Sequence, residues 1–286
     1  MQEIVYYDGK FGSSSDISIP FDDRSHCFGD GVYDATIGYK DHVYLMQEHL
    51  DRFYSSAAAL DITIPVSKDD MGAILQRMVN MVDGTTHFVY WQVSRGVAPR
   101  NHAYADDLKG KIMAYVRPLE DVPHGIPDPV SCITVRDNRF ELCNIKTLNL
   151  IPSVMAYQKA CKAGCFEAIL HRDGVVTECA HSNVSILKDG IFISHPNDEF
   201  ILRGIGKTHL IQACYRESVP VLEKTFTLEE MMDADEVIIT SSSDFCQSVN
   251  CIDGIKVGGK APALMRKIGL SNLNEYLRLT GQQEVK

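Results

Sequence analysis

The chain lacks any apolar run long enough to cross a bilayer, and its opening, MQEIVYYDGK, lacks the basic start and apolar stretch of an export signal. A membrane protein and a secreted one are both disfavoured, and a cytoplasmic location is expected. There is no C-x-x-C pair and no Cys/His spacing of a zinc site: the nine cysteines are odd in number and widely scattered, so reduced thiols and no metal are expected. Cys161 and Cys165 lie four apart in AYQKACKAGC, which reads as two small residues on one helix face. Positive charge is in deficit: 28 Lys and Arg stand against 38 Asp and Glu, a formal net charge of −10. Nucleic acid and anionic membrane both favour a basic face, so neither is expected as a partner and a small-molecule target is. No repeat or low-complexity tract is evident. What remains is a chain of 286 residues, 45% of them hydrophobic, enough for one large domain or two smaller ones.

Periodicity orders these residues into elements. EIVYYDGKFG alternates apolar positions around Asp8-Gly9, and GVYDATIGYKDHVYLM does so around Lys40-Asp41, predicting hairpins. Helical spacing follows in QEHLDRFYSSAAAL and in SKDDMGAILQRMVNMV, where Ser67 is placed to cap and Asp70 stands three residues later. Strands are predicted in HFVYWQVSRG and GKIMAYVRPL. Between Pro118 and Pro129 the segment PLEDVPHGIPDP resists both helix and strand and marks a domain boundary. Beyond it come a strand in VSCITVRD, a helix in SVMAYQKACKAG, hairpin turns at Asp173-Gly174 and Asp189-Gly190, a helix after Gly206, a strand in EVIITSSS and a helical tail. The expected class is α+β in two domains: a small N-terminal α/β domain over 1–118, a linker over 119–129, and a larger β-rich domain over 130–286.

ILRGIGKTHLIQAC raises the question of which phosphate, if any, the chain holds. Gly206-Lys207-Thr208 is the ending of a nucleotide-binding P-loop, but Ile201 stands where the first glycine of that motif is required. Gly204-Ile205-Gly206 offers backbone N–H groups at a helix start, suited to one anionic group; the alternative is a turn that binds nothing. Three other places carry chemistry. Lys146 lies in FELCNIKTLNLIPSVMA among apolar residues, where an amine loses its preference for the charged form and can attack a carbonyl, or else runs its stem along the core to water. Glu178 closes a β-rich run before the polar cluster His181, Ser182 and Asn183. It reads either as the holder of a proton on a ring nitrogen or as a surface acid at a strand end. TSSSDF, from Thr240, offers consecutive hydroxyls for a second phosphate contact, or is a polar turn. Taken together, an amine, a ring-nitrogen partner and sites for a single phosphate match the needs of pyridoxal phosphate.

At these residues the chain resembles the class IV pyridoxal phosphate aminotransferases, and within them the D-amino acid branch. FGDGVYD, EHLDRFYSSA, VSRGVAPRNHAY, IKTLNL, GCFEAILHRDGVVTE, SNV, HP, ILRGIG and EVIITSSS carry the resemblance over nearly the full length. It implies the two-domain fold type IV arrangement in a homodimer, with the cofactor between the domains. It also implies a Schiff base on Lys146, the pyridine-nitrogen contact on Glu178, and phosphate ligands at Arg52, the Ile205 and Gly206 backbone, Ser241 and Ser242. Leu202 matches the position packed on the cofactor ring. Tyr33, Arg100 and His102 match the group that grips the substrate carboxylate in the D branch, with the PRNH loop reaching into the neighbouring subunit. The implied reaction moves the amino group of a D-amino acid such as D-alanine to a 2-oxo acid such as 2-oxoglutarate. A branched-chain L-amino acid aminotransferase and an aminodeoxychorismate lyase are the alternatives in the same fold; Tyr33, Arg100 and His102 speak against both. Two positions depart from the family pattern. Asp34 replaces the usual glutamate, and ECAH, Glu178 to His181, replaces a run rich in small residues and serine. His181 is open between an interaction with the phosphate, one with a substrate side chain, and space filling.

Overall fold

The computed structural model describes residues 2–119 and 125–285; residues 120–124, within the expected linker, lie outside them. The chain divides into two compact units. The first takes in residues 1–122 together with 145–149, and the second residues 123–144 together with 150–286.

The first unit is built on β1 (Ile4–Tyr7), β2 (Lys10–Gly12), α1 (Arg24–Phe28), β3 (Gly31–Tyr39), β4 (His42–Val43), α2 (Met46–Ala59), α3 (Lys68–Val79), β5 (Thr86–Ser94) and β6 (Lys111–Pro118). Its strands form one antiparallel sheet in the order β2-β1-β6-β5-β3-β4. Asp8 and Gly9 both take positive φ, the geometry a two-residue hairpin with right-handed strand twist requires. Alternation along the strands sorts side chains by face. Val32, Val89, Trp91, Val93, Ile112, Ala114 and Val116 pack with Leu50 and Phe53 of α2 and Met71, Leu75 and Met78 of α3. Each buried Val, Leu, Ile, Phe or Met side chain among them contributes roughly 1.5–3 kcal/mol. Ser67 caps α3, its Oγ accepting from the Asp70 amide at 3.1 Å. On the opposite face Tyr33 stacks on Tyr90, and Tyr90 on Tyr115, with centroids 5.5 and 4.9 Å apart.

The second unit contains β7 (Val130–Arg136), α4 (Ile151–Lys162), β8 (Glu167–Arg172), β9 (Val175–Cys179), β10 (Asn183–Lys188), β11 (Ile191–Ser194), α5 (Ile205–Arg216), β12 (Val221–Glu223), α6 (Leu228–Asp233), β13 (Glu236–Thr240), β14 (Gln247–Ile252), β15 (Ile255–Lys256) and α7 (Pro262–Leu279). Its mixed sheet runs β12-β11-β10-β13-β14-β7-β8-β9, with β15 paired to β14. Along β13, Ile238 packs with residues of α5 and α7 while Val237 and Ile239 pack into a separate cluster with Met231 of α6, the two faces of one pleated strand. Asp173-Gly174 and Asp189-Gly190 turn with positive φ at both residues, as their sequence predicts.

Three local expectations change. α5 begins at Ile205 with Gly204 as its N-cap, so Gly206 lies inside the helix rather than ahead of it. α4 ends at Lys162 and Gly164 takes φ +69, which puts Cys165 beyond the helix and off the face that carries Cys161. β14 has no counterpart in the sequence reading. Its Gln247 and Ser248 are buried, and Gln247 satisfies its amide by donating to the Asp128 carbonyl at 2.7 Å. No helix among the described residues is long and apolar enough to cross a membrane.

Candidate active site

Lys146 sits in the five-residue segment that belongs to the first unit. The segment is held by its backbone: the Tyr33 amide donates to the Lys146 carbonyl at 2.9 Å, the Leu148 amide donates to Gly31 at 3.0 Å, and Thr147 bridges to Val32. The side chain is thereby left to be placed by its surroundings. Its half-buried ammonium lies 4.4 Å from the centroid of the Tyr33 ring. One residue along β3, alternation turns Asp34 to the core face, where it is fully buried. Arg52 grips it with Nε at 2.8 Å and Nη2 at 2.7 Å, and His49 Nδ1 lies 2.8 Å away. Two nitrogens of Arg52, an expected phosphate ligand, are thus committed to Asp34.

Burial alone raises the Asp34 carboxyl, but the Arg52 charge and the bonds from His49 and Arg52 outweigh it and hold it well below the usual carboxylate range. Burial lowers His49, and its bond to Asp34 only partly opposes that. For both groups the folded value lies below the unfolded one, so both contribute stability that is present at neutral pH and lost as pH falls. The urea midpoint is therefore expected to drop first as the solution passes below the ordinary histidine value of 6.5, then again below the ordinary aspartate value of 3.8. An Asp34→Asn variant that kept the second drop unchanged would remove Asp34 from this account.

Arg100 and His102 are exposed on the loop between β5 and β6. Phe28 organises them: the Arg100 guanidinium lies 5.1 Å from its ring centroid and the His102 ring 5.3 Å away. Arg24, buried and paired with Asp30 at 2.8 Å, donates to the Asn101 carbonyl at 2.6 Å. Short α1 is thus the platform for the loop, a role nothing in its sequence signals.

In the second unit, Glu178 on β9 is buried rather than a surface acid. Its Oε2 accepts from Asn183 Nδ2 at 2.9 Å and from the Leu202 amide at 3.1 Å, and its Oε1 accepts from Arg139 Nη1. The backbone crowds closely where α5 begins. A Cβ on Gly204 would meet Asn183 Oδ1 at 1.8 Å, and one on Gly206 would meet the Ser241 carbonyl at 2.4 Å, so neither position tolerates a side chain without movement. The hydroxyl loop closes on itself: Ser241 Oγ accepts from the amides of Ser243 and Asp244 at 3.1 and 3.0 Å and donates to Asp244 Oδ2 at 2.6 Å. Ser242 is half-buried beside it. Thr240 Oγ1, at the end of β13, is buried without a hydrogen-bond partner among the described residues. A buried unpaired hydroxyl costs about 1–3 kcal/mol unless a ligand or water meets it.

Lys207 answers the question of the GKT sequence. It is buried, and its ammonium donates to the His195 carbonyl and to Asn197 Oδ1 at 3.2 Å. An ammonium engaged in this way is unavailable to a nucleotide's phosphate chain. His181 is exposed and donates its backbone N–H, at 3.4 Å, and pairs its ring Nδ1, to Glu167, a fully buried carboxylate on β8.

Each unit taken by itself holds groups that fit pyridoxal phosphate: the first an amine beside a tyrosine ring, the second a buried carboxylate with both oxygens fixed, a helix start too tight for a Cβ and a buried hydroxyl without a partner among the described residues. Groups of these kinds are what a single-phosphate ring cofactor bound through a lysine requires. A model of the family described as Amino-transferase class IV matches residues 31–252, and the chain belongs to that family. The D-alanine aminotransferase of Listeria innocua serovar 6a is 38% identical to it, with 94% of this chain and 95% of that protein covered. The D-alanine aminotransferase of Bacillus licheniformis is 37% identical, covering 92% and 93%. Among solved structures, the branched-chain aminotransferase of the thermophilic archaeon Thermoproteus uzoniensis, crystallised with norvaline, superposes with a TM-score of 0.85 at 20% identity, covering 96% and 97%; the two share the fold. Fold type IV and the α+β class follow.

Proposed function

We propose that the chain is a pyridoxal phosphate-dependent transaminase that moves the amino group of a D-amino acid, D-alanine among them, to a 2-oxo acid such as 2-oxoglutarate, in two half-reactions that share one site. The observation that supports this reading is the Lys146 ammonium 4.4 Å from the ring of Tyr33, the tyrosine that the resemblance assigns to the D branch. When bound, the cofactor would supply an aldehyde carbon and an electron-accepting ring. Lys146 would bind it covalently and, once displaced by the amino acid, take a proton from the substrate Cα and deliver it to the carbon that had been the cofactor's aldehyde, acting as base and then acid. Glu178 would hold a proton on the ring nitrogen; its fixed oxygens need no reorientation to do so. The Ile205 and Gly206 amides, Ser241, Ser242 and Arg52 would take the phosphate, and Leu202 the ring face. Tyr33, Arg100 and His102 would grip the substrate carboxylate, an arginine fork matching it bidentately.

The reading includes a homodimer in which the loop bearing Arg100 and His102 serves the site of the partner subunit, a larger cofactor domain beginning near Val130, and a cytoplasmic location. Its test is the near-visible absorption of cofactor-replete protein with D-alanine and, separately, L-alanine. Loss of the band with D-alanine alone is the expected result. A response to L-alanine alone would move the chain to the L-specific branch, and a response to neither would favour the lyase. Tyr33, Arg100 and His102 argue for the first outcome.

A further inference from the structure

Arg139 follows β7 in VRDNRF. In the structure it is nearly buried and every arm of its guanidinium is engaged. Nε and Nη2 clasp Asp137 at 3.0 and 2.9 Å, Nη2 also donates to the Phe200 carbonyl at 3.2 Å, and Nη1 donates to Glu178 Oε1. Asp137 is itself buried and fixed from two further directions, accepting from Thr177 Oγ1 at 3.1 Å and from Arg172 Nε at 3.2 Å. Arg172 in turn donates to the Arg139 carbonyl at 2.9 Å and lies over the Phe200 ring. The guanidinium therefore has a single orientation, set by groups that do not depend on Glu178.

We propose that Arg139 is a positioning residue for the transamination reaction: through its Nη1 it keeps Glu178 ionised and fixes the direction in which the carboxylate faces the cofactor's ring nitrogen. The proposal rests on the reading of Glu178 given above. A carboxylate buried without a cation takes up a proton readily, and a protonated Glu178 cannot stabilise a cationic ring. Arg139 is suited to prevent that because its own proton is secure: burial alone lowers it, but Glu178 and Asp137 together raise it far above the ordinary arginine value. The other ionisable groups about Glu178 include Asp137, Lys207, Cys143 and Cys179. Burial raises Cys143 and Cys179, which keeps both thiols neutral, and the Lys207 ammonium, although it senses the Glu178 charge, is bonded to the His195 carbonyl and Asn197 Oδ1.

Arg139→Met retains most of the side chain's volume and removes its charge; Arg139→Lys retains a charge that cannot span both acids. Both are measured as cofactor-loaded protein beside Glu178→Gln. Two quantities are followed with pH: kcat for D-alanine, and the near-visible absorption without substrate. The expected result for Arg139→Met is an acid limb in both profiles displaced upward by about one pH unit or more, equivalent to at least a tenfold change in proton affinity. Arg139→Lys should lie between it and the native protein. A merely structural role would lower kcat equally at all pH values and leave the absorption profile in place, which would overturn the proposal. Should Arg139→Met fail to fold, Arg139→Lys decides alone: a displaced profile supports the assignment and an unmoved one overturns it. Native behaviour in Glu178→Gln would instead sink the role given to Glu178, a distinct failure.

Discussion

Lys146→Ala is expected to abolish turnover, by about 10³-fold or more in kcat, while the protein still folds and still takes up cofactor. The magnitude follows from two losses at once, the covalent anchor and the general base, each of which typically contributes 10²-fold or more. The fold should survive because residues 145–149 are held by backbone bonds, Tyr33 to Lys146 at 2.9 Å and Leu148 to Gly31 at 3.0 Å, that the substitution leaves intact. Cofactor should remain bound through groups that do not involve the amine. In the proposed site those are the buried carboxylate of Glu178 and the crowded start of α5 where Gly206 meets Ser241. The measurement pairs kcat for D-alanine and 2-oxoglutarate with cofactor retained after dialysis. Near-native transamination by the variant would overturn the assignment.

Arg100→Ala is expected to raise the KM for D-alanine on the order of 10- to 100-fold, with cofactor affinity within about twofold of the native value. Hydrogen bonds to charged groups contribute about 1.5–3 kcal/mol, and a bidentate fork makes two. Arg100→Lys should recover only part of the loss, since an ammonium supplies charge without the planar pair of donors. Fold stability should barely change, because among the described residues the exposed guanidinium contributes its contact with the Phe28 ring. A variant that lost cofactor while keeping its KM would show that Arg100 serves the cofactor rather than the substrate carboxylate.

Much of this architecture can be read from the chain. The Asp-Gly turns at 8–9, 173–174 and 189–190 specify their own backbone because few other dipeptides accept two positive φ values in succession. The Ser67 cap and the alternation in HFVYWQVS are likewise local signals with local outcomes. Lys146, Glu178 and the glycines of α5 could be singled out because each breaks its local context: an amine among apolar residues, an acid inside a strand, glycines at a helix start. Arg139 and Asn183 break nothing locally. Their roles come from pairing across gaps of 39 and 5 residues with one carboxylate, and only the fold supplies that pairing. Lys207 shows the converse. Its motif points outward to a ligand, yet the ammonium is buried and bonded to a backbone carbonyl 12 residues away. β14 was hidden for a third reason: buried glutamine and serine resemble a loop until their hydrogen-bond partners are known.

The chain leaves the first unit through the proline-rich segment, returns for residues 145–149 and leaves again. This connectivity bears on any attempt to divide the gene. A fragment ended at the proline-rich boundary would carry β3 without the segment that pairs with it at Val32 and Gly31, and would lack Lys146 altogether. The complementary fragment would carry Lys146 on a tether whose docking strand had been removed. The two units are compact but not modular: neither half can be transplanted intact by a single cut, and a chimera exchanging domains with a relative must exchange residues 145–149 together with the first unit.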